Sequence, residues 1–181
     1  ARFGDEAVAG YSVGVRIEQL LLLGAMGLNA AVMAVAGQSF GAKDHQRVKQ
    51  TYYQALKLGF VVSVVAMPAM VFLSPLMMDQ FTNNSQIIDI GVYYLRVDAL
   101  AFFGYVLLFN SVAVLQAIKQ PIFPMVIGVL RQMVLPTLAN FVLIVLLDFD
   151  IYAIFWAIVC IVLISAILML IYTERQLNQL K

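Results

Sequence analysis

Five long apolar runs constrain this chain more than any other feature of it. Each run is long enough to cross the hydrocarbon core of a bilayer as a helix, which takes about 20 residues at about 1.5 Å of rise per residue. The runs are continuous and do not alternate with a period of two, so they favour helices over barrel strands. The predicted spans are Glu6–Gln38, Leu56–Met78, Val92–Ile118, Ile122–Leu147 and Ile151–Tyr172.

The composition argues against a soluble domain. Hydrophobic residues make up 63% of the 181 residues and charged residues only 12%, whereas soluble domains average about 45–50% apolar and about 25% charged. A soluble helical bundle of this size could not cover so much apolar surface. The sequence therefore predicts an all-α integral membrane protein with five transmembrane helices in a single membrane domain, residues 1–181. The net charge of +1 gives no indication of a nucleic-acid partner.

The basic residues predict the orientation of the spans. With five spans, the segment 37–50, the turn near residue 119 and the polar tail fall on one side of the membrane. The glycines in 37–50 are expected to end the first helix and make this segment a loop. Most of the basic residues lie on that side: Lys43, Arg47, Lys49, Lys57, Lys119, Arg175 and Lys181. Because short cytoplasmic loops are enriched in lysine and arginine, this side is predicted to be cytoplasmic.

Four ionisable side chains lie deep in the predicted spans: Arg16 and Glu18 in the first, Asp98 in the third and Arg131 in the fourth. Counting about 1.5 Å per residue places Glu18 and Arg131 at similar depth near the membrane centre, and Arg16 and Asp98 in its outer half. A charge at the bilayer centre costs about 2.5–3.5 kcal/mol, so such groups are expected to face other helices or a wet cavity.

Two interpretations of these charges remain open, and they are compatible. Arg16 with Asp98, and Glu18 with Arg131, could be structural charge partners that hold neighbouring helices together. Alternatively, at least one carboxylate binds a proton or Na⁺ during transport, as intramembrane acids in transporters often do.

Helical spacing adds two further candidates for ion or substrate binding. Asn29 shares one helical stripe with Glu18, and Tyr105 lines up with Asp98 along an aromatic strip. A carboxylate above aromatic rings suits an organic cation, although lipid-facing packing would also explain the aromatics. The candidate ion-coupling or substrate residues are thus Glu18, Asp98, Asn29 and Tyr105.

The residue types that most enzymes need are missing from the pattern. His45 is the one histidine in the sequence and lies in the predicted loop, so neither a metal site of several His and Cys nor a Ser–His–Asp arrangement can be built. The nucleotide-binding pattern G-x-x-x-x-G-K-[ST] is absent as well. The sequence predicts a protein that is not an enzyme and holds no metal and no cofactor.

The first span leads into a distinctive cytoplasmic motif, GQSFGAKDHQR, whose pattern residues are Gly37, Gln38, Gly41, Ala42, Asp44 and Arg47. With its flanking segment 7–50, this motif resembles the multidrug and toxic compound extrusion (MATE) family. The "RIE" at 16–18 resembles the DinF-like branch of that family. The segments YYLRVDAL (93–100), LQAIKQP (115–121) and RQMVLPTLANFVL (131–143) fit the family's following helices.

The resemblance implies a twelve-helix transporter built of two six-helix lobes, in which this chain corresponds to helices eight to twelve of the C-terminal lobe. We therefore expect a fragment whose partners are the missing N-terminal lobe and membrane lipid. The implied function is a secondary active multidrug efflux antiporter of the bacterial inner membrane. It would export cationic or lipophilic compounds in exchange for Na⁺ or H⁺ by alternating access. Two alternatives remain: a flippase of lipid-linked precursors or polysaccharides, and a non-transporting truncated fragment.

Overall fold

The structure, a computed structural model, describes residues 4–180. These residues form six helices joined by short turns. The helices are α1 (Asp5–Gly41), α2 (His45–Phe72), α3 (Ser74–Asp79), α4 (Ser85–Ala117), α5 (Ile122–Leu146) and α6 (Ile151–Gln179). All except the short α3 are long and apolar enough to cross a membrane. The predicted all-α membrane fold with five spans is confirmed.

The first connection is much shorter than the sequence predicted. α1 continues past Gly37 to Gly41, and α2 begins at His45, so only residues 42–44 separate the two helices. A glycine costs a helix about 1 kcal/mol but does not by itself end it. The left-handed residue that turns the chain here is Lys43, with φ of 60°. α1 thus ends at Gly41, but the left-handed turn is made by Lys43 and not by a glycine, and the predicted loop 37–50 is reduced to three residues.

Two other boundaries also differ from the prediction. α2 ends at Phe72, and the segment that was predicted to finish this span folds as the separate helix α3, with Pro75 in its first turn. Proline is well suited to the first turn of a helix because its missing N–H would have no partner there. α4 begins at Ser85, well before the predicted Val92, and Asn84 caps it by accepting a hydrogen bond from the Gln86 N–H at 3.0 Å.

α4 is the central helix of the bundle. Most of its membrane-crossing stretch is buried by other helices, and α1, α2 and α6 all pack against it. A short 3₁₀ turn, Ala99–Ala101, interrupts α4 immediately after Asp98. A 3₁₀ stretch inside a long helix often marks a hinge or a strained position. The deepest acidic residue of α4 thus lies at a local irregularity of the most buried helix.

α5 is the peripheral helix. None of its most apolar stretch is buried, and it attaches to the rest of the bundle through α6. Two π-helical turns, Leu130–Val134 and Phe141–Leu146, flank the segment that contains Pro136. A proline removes one backbone hydrogen bond of a helix, and π-turns are common where the regular ladder is disturbed. α5 therefore combines irregular backbone with loose packing.

Candidate functional site

A cavity of about 580 Å³ opens between α1, α4 and α5 near the middle of the bundle. Its volume is in the range of pockets that hold drug-sized ligands. α6 contributes the apolar Ile158 to its wall. The polar and aromatic side chains that line it are Tyr11, Glu18, Gln19, Tyr94, Tyr105, Phe109, Arg131 and Gln132. The cavity thus joins an acid, a base and several rings at membrane depth.

Glu18 lies in the wall of this cavity, with only 6% of its surface exposed. It is on the buried face of α1, and the Tyr94 hydroxyl of α4 donates a hydrogen bond to its Oε2. A hydrogen bond from a neutral hydroxyl compensates part of the cost of desolvating a carboxylate without neutralising it. Glu18 is therefore held in place but keeps its ability to bind a cation or a proton.

Asp98 lies behind Tyr105 and is 1% exposed. The Tyr105 hydroxyl donates to Asp98 Oδ1 at 3.3 Å, while Oδ2 has no hydrogen-bond partner in the described part of the chain. Asp98 and Glu18 are close enough to interact electrostatically. An unsatisfied buried oxygen next to a second carboxylate is costly unless a proton or cation is bound. We call Glu18 and Asp98 the carboxylate pair. A bound proton or cation would stabilise this pair by compensating its negative charge.

An aromatic cluster fixes the tyrosine that holds Glu18. The Tyr94 ring lies edge-on to Tyr11, with ring centroids 5.1 Å apart, and edge-on to Phe155 of α6 at 5.2 Å. Edge-to-face pairs of this kind have a preferred geometry. α1, α4 and α6 therefore all contribute to orienting the Tyr94 hydroxyl.

Arg131 lies across the cavity from Glu18, in the first π-turn of α5. Its guanidinium carbon is 5.7 Å from the centroid of the Tyr105 ring, and its Nη2 donates a hydrogen bond to the neighbouring Gln132 at 3.3 Å. Arg131 is near enough to Glu18 for electrostatic interaction, but no ion pair joins them among the described residues. The structure thus brings these two side chains to one cavity without direct contact.

The predicted pairing of Arg16 with Asp98 is not present between these two described residues. Arg16 is exposed on α1, while Asp98 is enclosed in the bundle and bonded to Tyr105. Side chains two residues apart on a helix lie on nearly opposite faces, because each residue turns the helix by about 100°. Glu18 faces the bundle, so Arg16 faces away from it. Equal depth in the membrane does not bring two side chains together when they lie on different faces.

Asn29 lies in a contact between two helices. Its side-chain amide donates a hydrogen bond to the backbone carbonyl of Phe109, and Asn29 is not among the described residues that line the cavity. Such an amide contact joins α1 to α4 as interhelical hydrogen bonds do in membrane proteins. The structure places Asn29 in a helix contact and not beside the carboxylate pair.

The glycine-rich motif forms the turn between α1 and α2. Asp44 caps α2, because its Oδ1 accepts the Arg47 backbone N–H at 3.0 Å. The N–H of Lys43 and that of Asp44 bond back to the carbonyls of Phe40 and Ser39, which is the Schellman pattern of a helix end. Gly37, Gln38, Gly41 and Ala42 belong to the same helix end.

Sequence reasoning missed Tyr94, Tyr11 and Gln132. Tyr94 precedes Asp98 by four residues and so shares its helix face, which was a usable signal. Tyr11 similarly lies seven residues, about two turns, before Glu18. No comparable pattern pointed to Gln132, which follows Arg131 in a π-turn.

Comparison with known proteins identifies the family. The MatE family model matches residues 1–142. A curated relative, a FAD transporter of Shewanella oneidensis, is 28% identical over 137 residues, which cover 75% of this chain and 30% of that protein. The chain thus spans about a third of the length of this relative.

Solved structures agree on the fold. An outward-facing multidrug resistance MATE family transporter of the MOP superfamily superimposes with a TM-score of 0.91 at 18% identity, over 98% of this chain and 40% of that one. A MOP superfamily transporter from Pyrococcus furiosus gives a TM-score of 0.90 at 17% identity, with the same coverage of both chains. Members of the MATE family are transporters and not enzymes. The apolar helices, the fold and the family match lead to one conclusion: the chain is a multi-pass membrane protein and belongs to the MATE family.

Proposed function

We propose that the protein containing this chain is a secondary active exporter of the bacterial inner membrane, coupled to the entry of H⁺ or Na⁺. The chain supplies the C-terminal lobe, helices eight to twelve, and the other lobe completes the transporter. The motif at 37–47 and the coverage of about 40% of the solved transporters support this placement. The "RIE" at 16–18 supports a position in the DinF-like branch.

The carboxylate pair is the observation that carries this function. Glu18 and Asp98 are buried in the spanning helices and interact with each other, and one arginine, Arg131, lies within electrostatic reach of Glu18. Two negative charges and one positive charge leave one charge to be balanced when both acids are ionised. Because uncompensated charge in the membrane is expensive, a proton or cation is the natural partner. Its binding and release would favour different states of the lobe.

The cavity suits lipophilic or cationic cargo. Rings of Tyr11, Tyr94, Tyr105 and Phe109 surround the carboxylate of Glu18 in a space of about 580 Å³. Aromatic faces attract organic cations, and a carboxylate adds Coulomb attraction. Cargo and the coupling cation would then compete for the same negative charge, which is how an exchanger couples the two movements.

Export under an imposed gradient tests this proposal. The full-length protein in proteoliposomes is expected to expel ethidium when a proton or Na⁺ gradient is applied. Asp98→Asn should abolish gradient-driven export, because it removes one acid of the pair. Asp89→Asn is the matched control, since Asp89 is an exposed acid on the same helix. Equal export by both variants would remove Asp98 from the mechanism.

Arg131 favours a second kind of cargo, a planar aromatic anion. Its guanidinium faces the cavity over the Tyr105 ring, and arginine binds phosphate groups well while aromatic rings stack on flat cargo. FAD is a planar aromatic anion of this kind, and one relative is described as a FAD transporter. FAD efflux from loaded proteoliposomes, compared with ethidium efflux, distinguishes the two cargo classes. Arg131→Gln should reduce FAD export more than ethidium export if the anion is the cargo.

A lipid-linked precursor flippase is less well supported. Its pyrophosphate cargo, like FAD, would meet one basic side chain among the described residues that line the cavity, Arg131, but the name of the relative supports FAD and not a lipid-linked cargo. Arg16, the other deep arginine, is exposed on the opposite face of α1 from Glu18.

A further inference from the structure

The attachment of α5 leaves this helix free to move relative to the cavity. Among its described residues only Pro124 is buried, and α6 is its main neighbour. Two π-turns and Pro136 interrupt its regular hydrogen bonding, and the Thr137 hydroxyl bonds to the Met133 carbonyl at 2.6 Å. Irregular turns flanking a proline are typical positions of helix bending. α5 is therefore the wall of the cavity that can change position at least cost.

Arg131 is the cation that a movement of α5 would carry. It lies in the first π-turn, half-buried, with its charge directed over the Tyr105 ring. The hydroxyl of that same tyrosine is bonded to Asp98, and Glu18 is within electrostatic reach. Arg131 thus lies near Glu18 and over the tyrosine that bonds to Asp98, without an ion pair to either acid among the described residues.

Four helices provide the groups that line the cavity around Glu18. α1 provides Tyr11, α4 provides Tyr94 and Tyr105, and α5 provides Arg131, while α6 provides the apolar Ile158. The tyrosine hydroxyls are neutral donors and do not balance charge. Within the described residues around the pair, Arg131 is the one permanent positive charge.

We propose that Arg131 is a built-in counter-cation: it moves with α5 onto the carboxylate pair when the coupling cation leaves, and is displaced when that cation returns. This inference rests on the proposed cation coupling and adds to it the residue that keeps the empty site from being an uncompensated charge. No bond is made or broken. Arg131 acts as a positioning residue, because it sets how tightly the acids hold the coupling cation and how fast they release it.

Competition of this kind has a signature that a merely structural arginine would not produce. Without a tethered competitor, the pair should hold the coupling cation more tightly and release it more slowly. In Arg131→Gln, the concentration of H⁺ or Na⁺ that half-saturates exchange is expected to fall about tenfold, since an opposite charge within about 4–6 Å of a carboxylate, where the movement would bring Arg131, changes its proton affinity by at least that factor. The maximal exchange rate is expected to fall as well.

The experiment measures both quantities in the full-length protein in proteoliposomes. Arg131→Lys should restore the half-saturating concentration and the maximal rate, because it keeps the charge. Arg16→Gln is the matched control, a deep arginine on the exposed face of α1, and should change neither quantity. An unchanged or raised half-saturating concentration in Arg131→Gln overturns the proposal.

Cross-linking tests the movement itself. Gln19 of α1 and Gln132 of α5 line the cavity from facing helices. Cys160 and every other cysteine of the full-length protein are replaced by Ser so that only the introduced thiols react. With cysteines at both positions, a disulfide should form faster in cation-free buffer than at saturating cation. Equal rates in the two buffers overturn the movement of α5.

These outcomes separate the inference from the function on which it rests. If Glu18→Gln and Asp98→Asn leave coupled exchange intact, the proposed coupling site is wrong. If those two variants abolish coupling while Arg131→Gln leaves the half-saturating concentration unchanged, the coupling site stands and the counter-cation is rejected.

Discussion

At the scale of single residues, Tyr94 can occupy its position because Gly14 has no side chain. A Cβ at Gly14 would lie 2.6 Å from Tyr94 Cδ1, closer than real Cβ contacts. The ring therefore rests directly on the α1 backbone, from which its hydroxyl reaches Glu18. The hydrogen bond that orients the Glu18 carboxylate thus depends on the space left by Gly14, which lies one turn before Glu18 on the same helix.

Gly14→Ala is expected to lower both stability and coupling. Displacing the Tyr94 ring should cost about 1–3 kcal/mol, the usual range for overpacking a filled site. Gly24→Ala is the control on the same helix, because nothing lies within 4 Å of a Cβ there and alanine favours a helix more than glycine does. Melting temperature in detergent and gradient-driven export measure the two effects. Identical melting of both variants would contradict the described contact.

A double-mutant cycle tests whether Glu18 and Arg131 are energetically coupled. Glu18→Gln and Arg131→Gln should show an interaction energy of about 1 kcal/mol in cation-free buffer, and much less at saturating cation. The cycle of Arg16→Gln with Asp98→Asn should be additive in both buffers, since these residues lie on different faces. Thermal unfolding in detergent provides the energies. Additivity of the first cycle in both buffers would argue against any approach of Arg131 to Glu18.

At the scale of elements, two helix ends use lysine where glycine would be expected. Lys43 after α1 and Lys119 after α4 adopt positive φ, 60° and 63°. At the second turn, the Lys119 N–H bonds to the Gln116 carbonyl and the Gln120 N–H to the Leu115 carbonyl, which is the Schellman pattern. A left-handed lysine costs energy that a glycine would not, so these turns are strained at their centre.

Lys119→Gly is expected to stabilise the protein by about 1 kcal/mol, because it removes the cost of the left-handed conformation. Gln120→Gly is the matched control, since Gln120 is the next residue and has no positive φ, and it should bring no gain. Melting temperature in detergent distinguishes the two. A lower melting temperature for Lys119→Gly than for the parent would show that the lysine side chain contributes more than its backbone costs.

That Glu18 and Arg131 meet could be predicted from the sequence, but the direction of side chains around each helix could not. Rise per residue is nearly constant, so these two residues were expected at one level, and both line the cavity. Which face meets the bundle depends on packing between helices, and this placed Arg16 on the exposed face and Asp98 behind Tyr105. The π-turns of α5 and the left-handed lysines also escaped prediction, because they result from how the helices pack rather than from any residue pattern.

At the scale of the whole molecule, much of the outer surface is apolar, as contact with lipid requires. Large apolar side chains project outward from several helices, among them Val65 of α2 at 70% exposure and Ile122 of α5 at 73%. A soluble protein rarely exposes contiguous apolar surface of this extent. Glu18 and Arg131 line the central cavity instead, and Asp98 is enclosed in the bundle, whereas Arg16 lies on the exposed face of α1.

Extraction from membranes tests this arrangement. The protein should stay in the membrane pellet through alkaline carbonate, and should enter the supernatant only with detergent, because its apolar exterior has no favourable contact with water. A peripheral protein washed by the same procedure serves as the control. Release by carbonate alone would contradict the membrane fold.

The central claim is that the carboxylate pair exchanges a cation for cargo, and cation release on cargo binding measures it most directly. Purified full-length protein in detergent, loaded with H⁺ or ²²Na⁺, is mixed with ethidium while the released cation is followed. We expect about one cation released per cargo bound, loss of that release in Glu18→Gln, and normal release in Glu6→Gln, whose acid lies at the start of α1. Undiminished release from Glu18→Gln would contradict the account.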